Sequence, residues 1–226
     1  MASSDAPPNP HALLQAQSPD ELFEVYHAPA DDFDVYASEP RRTGRTKPRR
    51  AVHADGDWHR SAHVWIVDVS RQEILAQRRS AGKDTFPNMW DISAAGHVGA
   101  STRDSRECAT QELAEELGVA LARRGAELEF QFTCPAEQRA LGGCNCYEDV
   151  YFLKWDAEVH GRTFRVGPAE VSDVRWMRVD ALRDALERGD PEFVPRVRAY
   201  IDAFFPALER FATTSDSTRL DVPRLA

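Results

Sequence analysis

Three glutamates, Glu112, Glu115 and Glu116, stand at relative positions i, i+3 and i+4 in the stretch QELAEELG. On an α-helix, at about 100° per residue, they fall within about a 100° arc on one side. Like charges at that spacing repel by a few tenths of a kcal/mol in water and by more when partly buried, so a cation should compensate them. Mg²⁺, or Mn²⁺ in its place, is the hard divalent ion that carboxylate oxygens favour, and it keeps positions free for water and substrate phosphates. The same three side chains also suit an ordinary solvated acidic face, and their spacing alone does not separate the two.

A well-marked helix must carry them. Asp104 through Glu107 gives a capping signature, Ala109, Leu113 and Leu117 recur at i+4 on the adjoining arc, and Gly118 supplies the stop. Upstream, His63 to Val69 and Glu73 to Arg79 read as a strand hairpin, followed by a short apolar stretch at Asp91 to Ala95 and a glycine-containing loop from Gly96 to Ser101. Downstream, strands are expected at Leu128 to Cys134, Tyr147 to Trp155 and Val171 to Val179. Helices are expected at Asp180 to Arg188 and from Pro195 onward, with Pro206 kinking or ending the second. Near the start, Ser18 to Glu21 resembles a helix cap while Leu22 to Tyr26 also suits a strand. Residues 41–50, RRTGRTKPRR, hold six basic residues and no acid, and read as a solvated loop or as a rim attracting an anionic substrate. The expected organisation is an arm at 1–17, an N-terminal extension at 18–57, one domain at 58–212 and a tail at 213–226. Strands interspersed with helices, without a strict βαβ repeat, favour a mixed sheet with helices on its faces.

Gly96-His97, a loop, and then Glu112, Leu113, Glu115, Glu116, Gly118 and Val119 closely resemble the signature of the Nudix hydrolases, with Gln111 where that family has arginine and Arg103 where its first glutamate would fall. The likeness runs over roughly residues 40 to 200. Val52 to Arg60, Leu75 to Arg79, Lys83, Phe86-Pro87, Trp90-Asp91 and Gly96-His97 resemble the branch that contains the isopentenyl-diphosphate isomerases and their hydrolase relatives. That resemblance implies the α/β Nudix fold, an α/β/α sandwich with a mixed sheet, and divalent-metal-dependent cleavage of a diphosphate bond in a small nucleoside or prenyl diphosphate-type substrate. Glu112, Glu115 and Glu116 would be catalytic and hold the metal, with His97 and a late-strand acid. In the isomerases the histidines matching His53, His59 and His97 help bind a metal, and the basic residues matching Arg79 and Lys83 hold the diphosphate. His53, His59, Arg79, Lys83 and Glu148 are accordingly expected on the substrate side. Strand alternation sends Glu148 and Asp149 to opposite faces; the resemblance favours Asp149 as the late-strand ligand and leaves Glu148 open as ligand or base. Ala95 stands where the isomerases carry their catalytic cysteine, which disfavours isomerisation, while Gln111 motivates a non-catalytic diphosphate- or nucleotide-binding module as another reading.

Composition narrows the partners. Across 226 residues, 37 acidic against 28 basic side chains give a formal charge of −9, so a nucleic-acid polymer is not the expected partner. No run approaches the about 18 apolar residues that span a bilayer, and the first residues lack a basic start with an apolar core, so a cytoplasmic protein without a membrane partner is expected. Cys108, Cys134, Cys144 and Cys146 form no C-x-x-C pair and read as reduced thiols; Cys144 and Cys146, one residue apart, are not expected to make a tetrahedral metal site. No oligomeric state is read from the sequence.

Overall fold

The sequence HRSAHVWIVD carries the unbroken apolar run Val64 to Val67 and folds as the ten-residue strand β3 (His59–Asp68), buried on both faces, around which the rest is organised. The computed structural model describes residues 18–121, 125 and 127–214; the expected arm at 1–17 and residues 215–226 of the expected tail lie outside the described residues. Leu22–Tyr26 is a strand, β1, paired antiparallel with β2 (Arg42–Pro48). The basic segment is therefore not a loop: it forms β2 and then a short helix, α1 (Arg49–Asp55). Cross-strand pairing explains the change, because Thr43 Oγ1 donates to the Val25 carbonyl at 2.7 Å and Arg42 reaches Glu24 at 3.2 Å.

β3 turns back into β4 (Glu73–Arg79), with Asp68 accepting from Ser70 Oγ at 2.6 Å and Arg71 N at 3.1 Å and Gln72 taking a left-handed φ of 53°. The strands β5 (Trp90–Asp91), β6 (Ala94–His97), β7 (Leu128–Glu137), β8 (Asn145–Lys154) and β9 (Val171–Arg178) complete a 7-stranded sheet. Its backbone order is β5-β4-β3-β8-β7, with β6 on β3 and β9 on β4. The β3–β8 pair is parallel and the others antiparallel, which makes the sheet mixed.

Helix α2 (Ser105–Leu117) covers one face, burying Cys108, Ala109, Leu113 and Leu117 against Ala62, Val64, Ile66 and Leu75. Helices α4 (Val179–Arg188) and α5 (Arg198–Thr214) cover the other, burying Leu182, Phe204 and Phe211 against Trp65, Val67 and Phe152. A short helix, α3 (Ala157–His160), lies between β8 and β9. The α/β/α sandwich is as expected. Pro206, however, sits inside α5 without ending it. An interior proline costs about 3 kcal/mol, and the burial of Phe204, Phe205, Leu208 and Phe211 around it, each worth about 1.5–3 kcal/mol, outweighs that. Among the described residues, no helix is long and apolar enough to cross a membrane.

The ends of α2 behave as their residues dictate. Asp104 accepts from Glu107 N at 2.9 Å, Glu107 reaches back to Arg103 N at 2.7 Å, and Gly118 closes the helix at φ 66°. Asp104→Ala should therefore lower unfolding stability by about 1 kcal/mol, measured as a shift in urea midpoint with an unchanged m-value.

Candidate functional site

Glu112 and Glu116 lie one turn apart on α2, and Glu170, in the segment leading into β9, completes a cluster whose carboxylate oxygens lie within 4.8 Å of one another. Glu116 is 1% exposed. Its carboxylate accepts from Gln77 Nε2 on β4 at 3.0 Å, from Ala95 N on β6 at 2.9 Å and from Lys83 Nζ at 3.3 Å. Lys83 also pairs with Glu170. Two glycines allow the close approach: a Cβ on Gly96 would overlap the Glu112 carboxylate, and one on Gly167 would overlap the Glu115 carbonyl oxygen. Gly167 N donates to the Glu116 carbonyl at 2.9 Å and holds the loop before β9 against the helix.

The charge of this cluster is only partly compensated. Burial first, and then Glu116 and Glu170, push the Glu112 carboxyl well above the usual carboxylate range. Burial also raises Glu116, opposed chiefly by Lys83. Three carboxylates and one ammonium leave two formal negative charges, and the donors are all carboxylate oxygens. That set fits one hard divalent cation.

Of the residues singled out in the sequence, Glu112, Glu116 and Lys83 come together here. Glu115 does not: it is exposed, and Glu170 stands in the third position. Glu170 is 54 residues from Glu116 (170 − 116), and no periodicity in the sequence links them. Asp149 lies apart from the cluster, fully buried, accepting from Arg60 Nε at 2.6 Å and Thr133 Oγ1 at 2.7 Å. Glu148 points to the opposite face, where Arg196 Nη1 lies 3.5 Å away and His63 Nε2 3.8 Å away. Burial lifts its pKa to about 8 against the pull of Arg196. Arg79 donates to Asp91 Oδ2 at 3.1 Å and to the Thr85 carbonyl at 2.9 Å, and it lies close enough to Glu116 to favour that carboxylate's charged form.

The three expected histidines meet one another rather than the carboxylates. His53 comes from α1, His59 from the start of β3 and His97 from the end of β6, and their ring centroids are 4.8–5.2 Å apart. Phe23 of β1 stacks on His59 and His97 at 5.4 and 5.1 Å. Cys144, just before β8, joins them with its Sγ 3.8 Å from His97 Nε2. Burial brings the His97 pKa down to about 3, so the ring is neutral. The Cys144 thiol is held well below its ordinary range, first by a hydrogen bond from Cys146 and then by the imidazoles. Sequence spacing alone discounted Cys144, since it weighed the thiol only against its near neighbour Cys146.

The NUDIX domain family matches residues 57–197. The chain is 38% identical to Nudix hydrolase 3 of Arabidopsis thaliana over 73% of its own length, and spans only 21% of that protein. It is 31% identical to an isopentenyl-diphosphate Delta-isomerase of Nocardia farcinica over 66% of this chain and 80% of that one. A prenyl-diphosphate phosphatase of Methanosarcina mazei is 24% identical over 65% and 79% of the two chains. The crystal structure of DR0079 from Deinococcus radiodurans superposes with a TM-score of 0.51 at 16% identity, over 81% of this chain and 99% of the other.

Two expectations follow from the geometry. Gly96→Ala should swing the Glu112 carboxylate out of the cluster, so Mn²⁺ binding measured by calorimetry weakens about tenfold or more while the melting temperature stays near wild type; unchanged affinity would separate Glu112 from metal binding. Glu148 titrates near 4.5 when unfolded and at about 8 when folded. The folded state therefore holds the extra proton between those values, and stability falls as pH rises through that window. Glu148→Gln should flatten the decline, read as urea stability of both proteins at about pH 5 and about pH 9; parallel curves would mean that Glu148 titrates normally.

Proposed function

The chain belongs to the Nudix family, and from that premise we propose that it hydrolyses a diphosphate bond in a small nucleoside or prenyl diphosphate-type substrate with the help of Mg²⁺ or Mn²⁺. The observation that carries the reading is the buried meeting of Glu112, Glu116 and Glu170 around Lys83. These carboxylates would hold the metal, which when bound neutralises charge on the bridging phosphates and lowers the pKa of water.

The chain's own residues supply the rest. Gln77 and the Ala95 amide fix the Glu116 carboxylate in one orientation, so a ligand oxygen is already positioned without reorganisation. The same glutamate set would supply the base that takes a proton from the attacking water. Lys83 and Arg79 bring positive charge to the same end of β4 and suit the terminal phosphate of the substrate. The likeness to the prenyl-diphosphate phosphatase supports a prenyl diphosphate among the substrates to be tried first.

Ala95 sets this chemistry apart from isomerisation. Its methyl group exchanges no proton with a carbon centre, and its amide is committed to Glu116. The test is release of phosphate and pyrophosphate from a panel of prenyl diphosphates, nucleoside di- and triphosphates and dinucleoside polyphosphates with Mg²⁺ or Mn²⁺. Glu116→Gln should cut the metal-dependent rate by about two orders of magnitude or more with little change in melting temperature. A near-normal rate in the variant sinks the assignment, and tight ligand binding with no release from any substrate points to a binding module.

A further inference from the structure

The segment between α4 and α5 runs beside β5. Trp90 N donates to the Glu192 carbonyl at 2.7 Å and Val194 N to the Trp90 carbonyl at 2.9 Å, a parallel bridge that pairs Trp90 with Phe193. Three residues further on, Arg196 turns inward with its side chain 5% exposed and its guanidinium 5.3 Å from the centre of the Tyr200 ring. There Nη2 pairs with Asp91 Oδ1, and Nη1 lies 3.5 Å from Glu148 Oε1. Asp91 is the residue after Trp90, so the bridge that docks the segment also brings the arginine within reach of it.

The other oxygen of Asp91 belongs to Arg79, whose Nη1 donates to Oδ2 at 3.1 Å. Ile92 N donates to Oδ1 at 2.8 Å, so two guanidiniums and an amide hold this carboxylate in one orientation. Arg79 in turn gives Nε to the Thr85 carbonyl at 2.9 Å and Nη2 to Thr85 Oγ1 at 3.1 Å. Three of its five N–H groups are thereby fixed, which leaves two for an anion. Along β4, Gln77 donates to Glu116 at 3.0 Å, and Arg79 follows within about 7 Å of strand, so the chain of ion pairs ends at the edge of the carboxylate cluster. Two arginines buried around one acid are costly to desolvate, and apolar packing of the same volume stabilises a fold as well or better. Apolar packing cannot aim a guanidinium.

We propose that Arg196 is a positioning residue: through Asp91 it fixes the direction in which the Arg79 guanidinium meets the diphosphate of the substrate. The proposal rests on the reading of Arg79 as a phosphate-binding residue. It makes the segment before α5 part of the site, although Arg196 stands 105 residues from the aspartate it clamps.

The probe is methylenebisphosphonate, a diphosphate analogue that is not hydrolysed, bound to the full chain in the presence of Mg²⁺ and measured by calorimetry; Mn²⁺ binding is measured alongside. Arg79→Met should weaken bisphosphonate binding about a hundredfold and Arg196→Met about tenfold, with Mn²⁺ affinity unchanged in both. In the double variant the loss should be no greater than in Arg79→Met alone, because Arg196 acts through Arg79. Asp91→Asn, which keeps the volume, removes the same link and should give about the same tenfold loss without any change at Arg196. Near-ultraviolet circular dichroism establishes that each variant is folded. No binding by the wild type, unchanged affinity in Arg196→Met or Asp91→Asn, a double variant whose losses multiply, or a parallel fall in Mn²⁺ affinity would overturn the proposal. The expected losses with no phosphate release from any substrate would uphold it and remove the hydrolase reading, whereas metal-dependent release with bisphosphonate affinity untouched in Arg196→Met would do the reverse.

Discussion

Burying like charges together is the constraint on which the functional end of this fold depends. Glu112, Glu116 and Glu170 share one pocket in which an uncompensated carboxylate costs several kcal/mol, so the surrounding structure has to bring positive charge and hydrogen-bond donors to them. Lys83 serves two of the three, from a loop with left-handed backbone at Phe86 and Asn88. Gln77 and the Ala95 amide serve Glu116. The glutamates cannot swing out to water together, because Ala109, Leu113 and Leu117 pin the adjoining arc of α2 to the sheet.

The sheet register decides which residues can meet. β3 pairs parallel with β8, setting His59 opposite Cys146 and Ala62 opposite Asp149, and antiparallel with β6, setting Ser61 opposite His97. A slip of one residue in either pairing would exchange the two faces. Registered as they are, imidazole and thiol donors gather at one corner of β3, whereas Glu148 and Asp149, adjacent in sequence, end on opposite faces with separate arginine partners.

Much of this was legible from the residues and some was not. The helix of the glutamates could be read because its signals are local: a capping aspartate, an i+4 apolar stripe and a terminal glycine. The hairpin of β3 and β4 and the three later strands were readable from the same short-range patterns. The basic segment misled because its strand character comes from pairing with β1, a contact between residues about twenty positions apart, and not from apolar alternation. Pro206 does not end its helix because propensity gives way where aromatic burial is this dense. In the site, Glu112 and Glu116 carried a helical spacing and a family signature, but Glu170 and Cys144 carried neither. Each reaches its cluster through the return of a distant strand.

The two clusters are separate in chemistry and adjacent in the backbone. Ala95, Gly96 and His97 are consecutive on β6: the first donates its amide to Glu116, the second leaves space for Glu112, and the third belongs to the imidazole and thiol group. Arg49 spans the same gap on the other side, touching His97 Nδ1 at 3.2 Å and Asp84, next to Lys83, at 3.3 Å. Because β6 is held to β3 along its whole length, fixing His97 also fixes the distance between Gly96 and α2. The order of the nitrogen and sulfur cluster is thus a condition for the geometry of the carboxylate one.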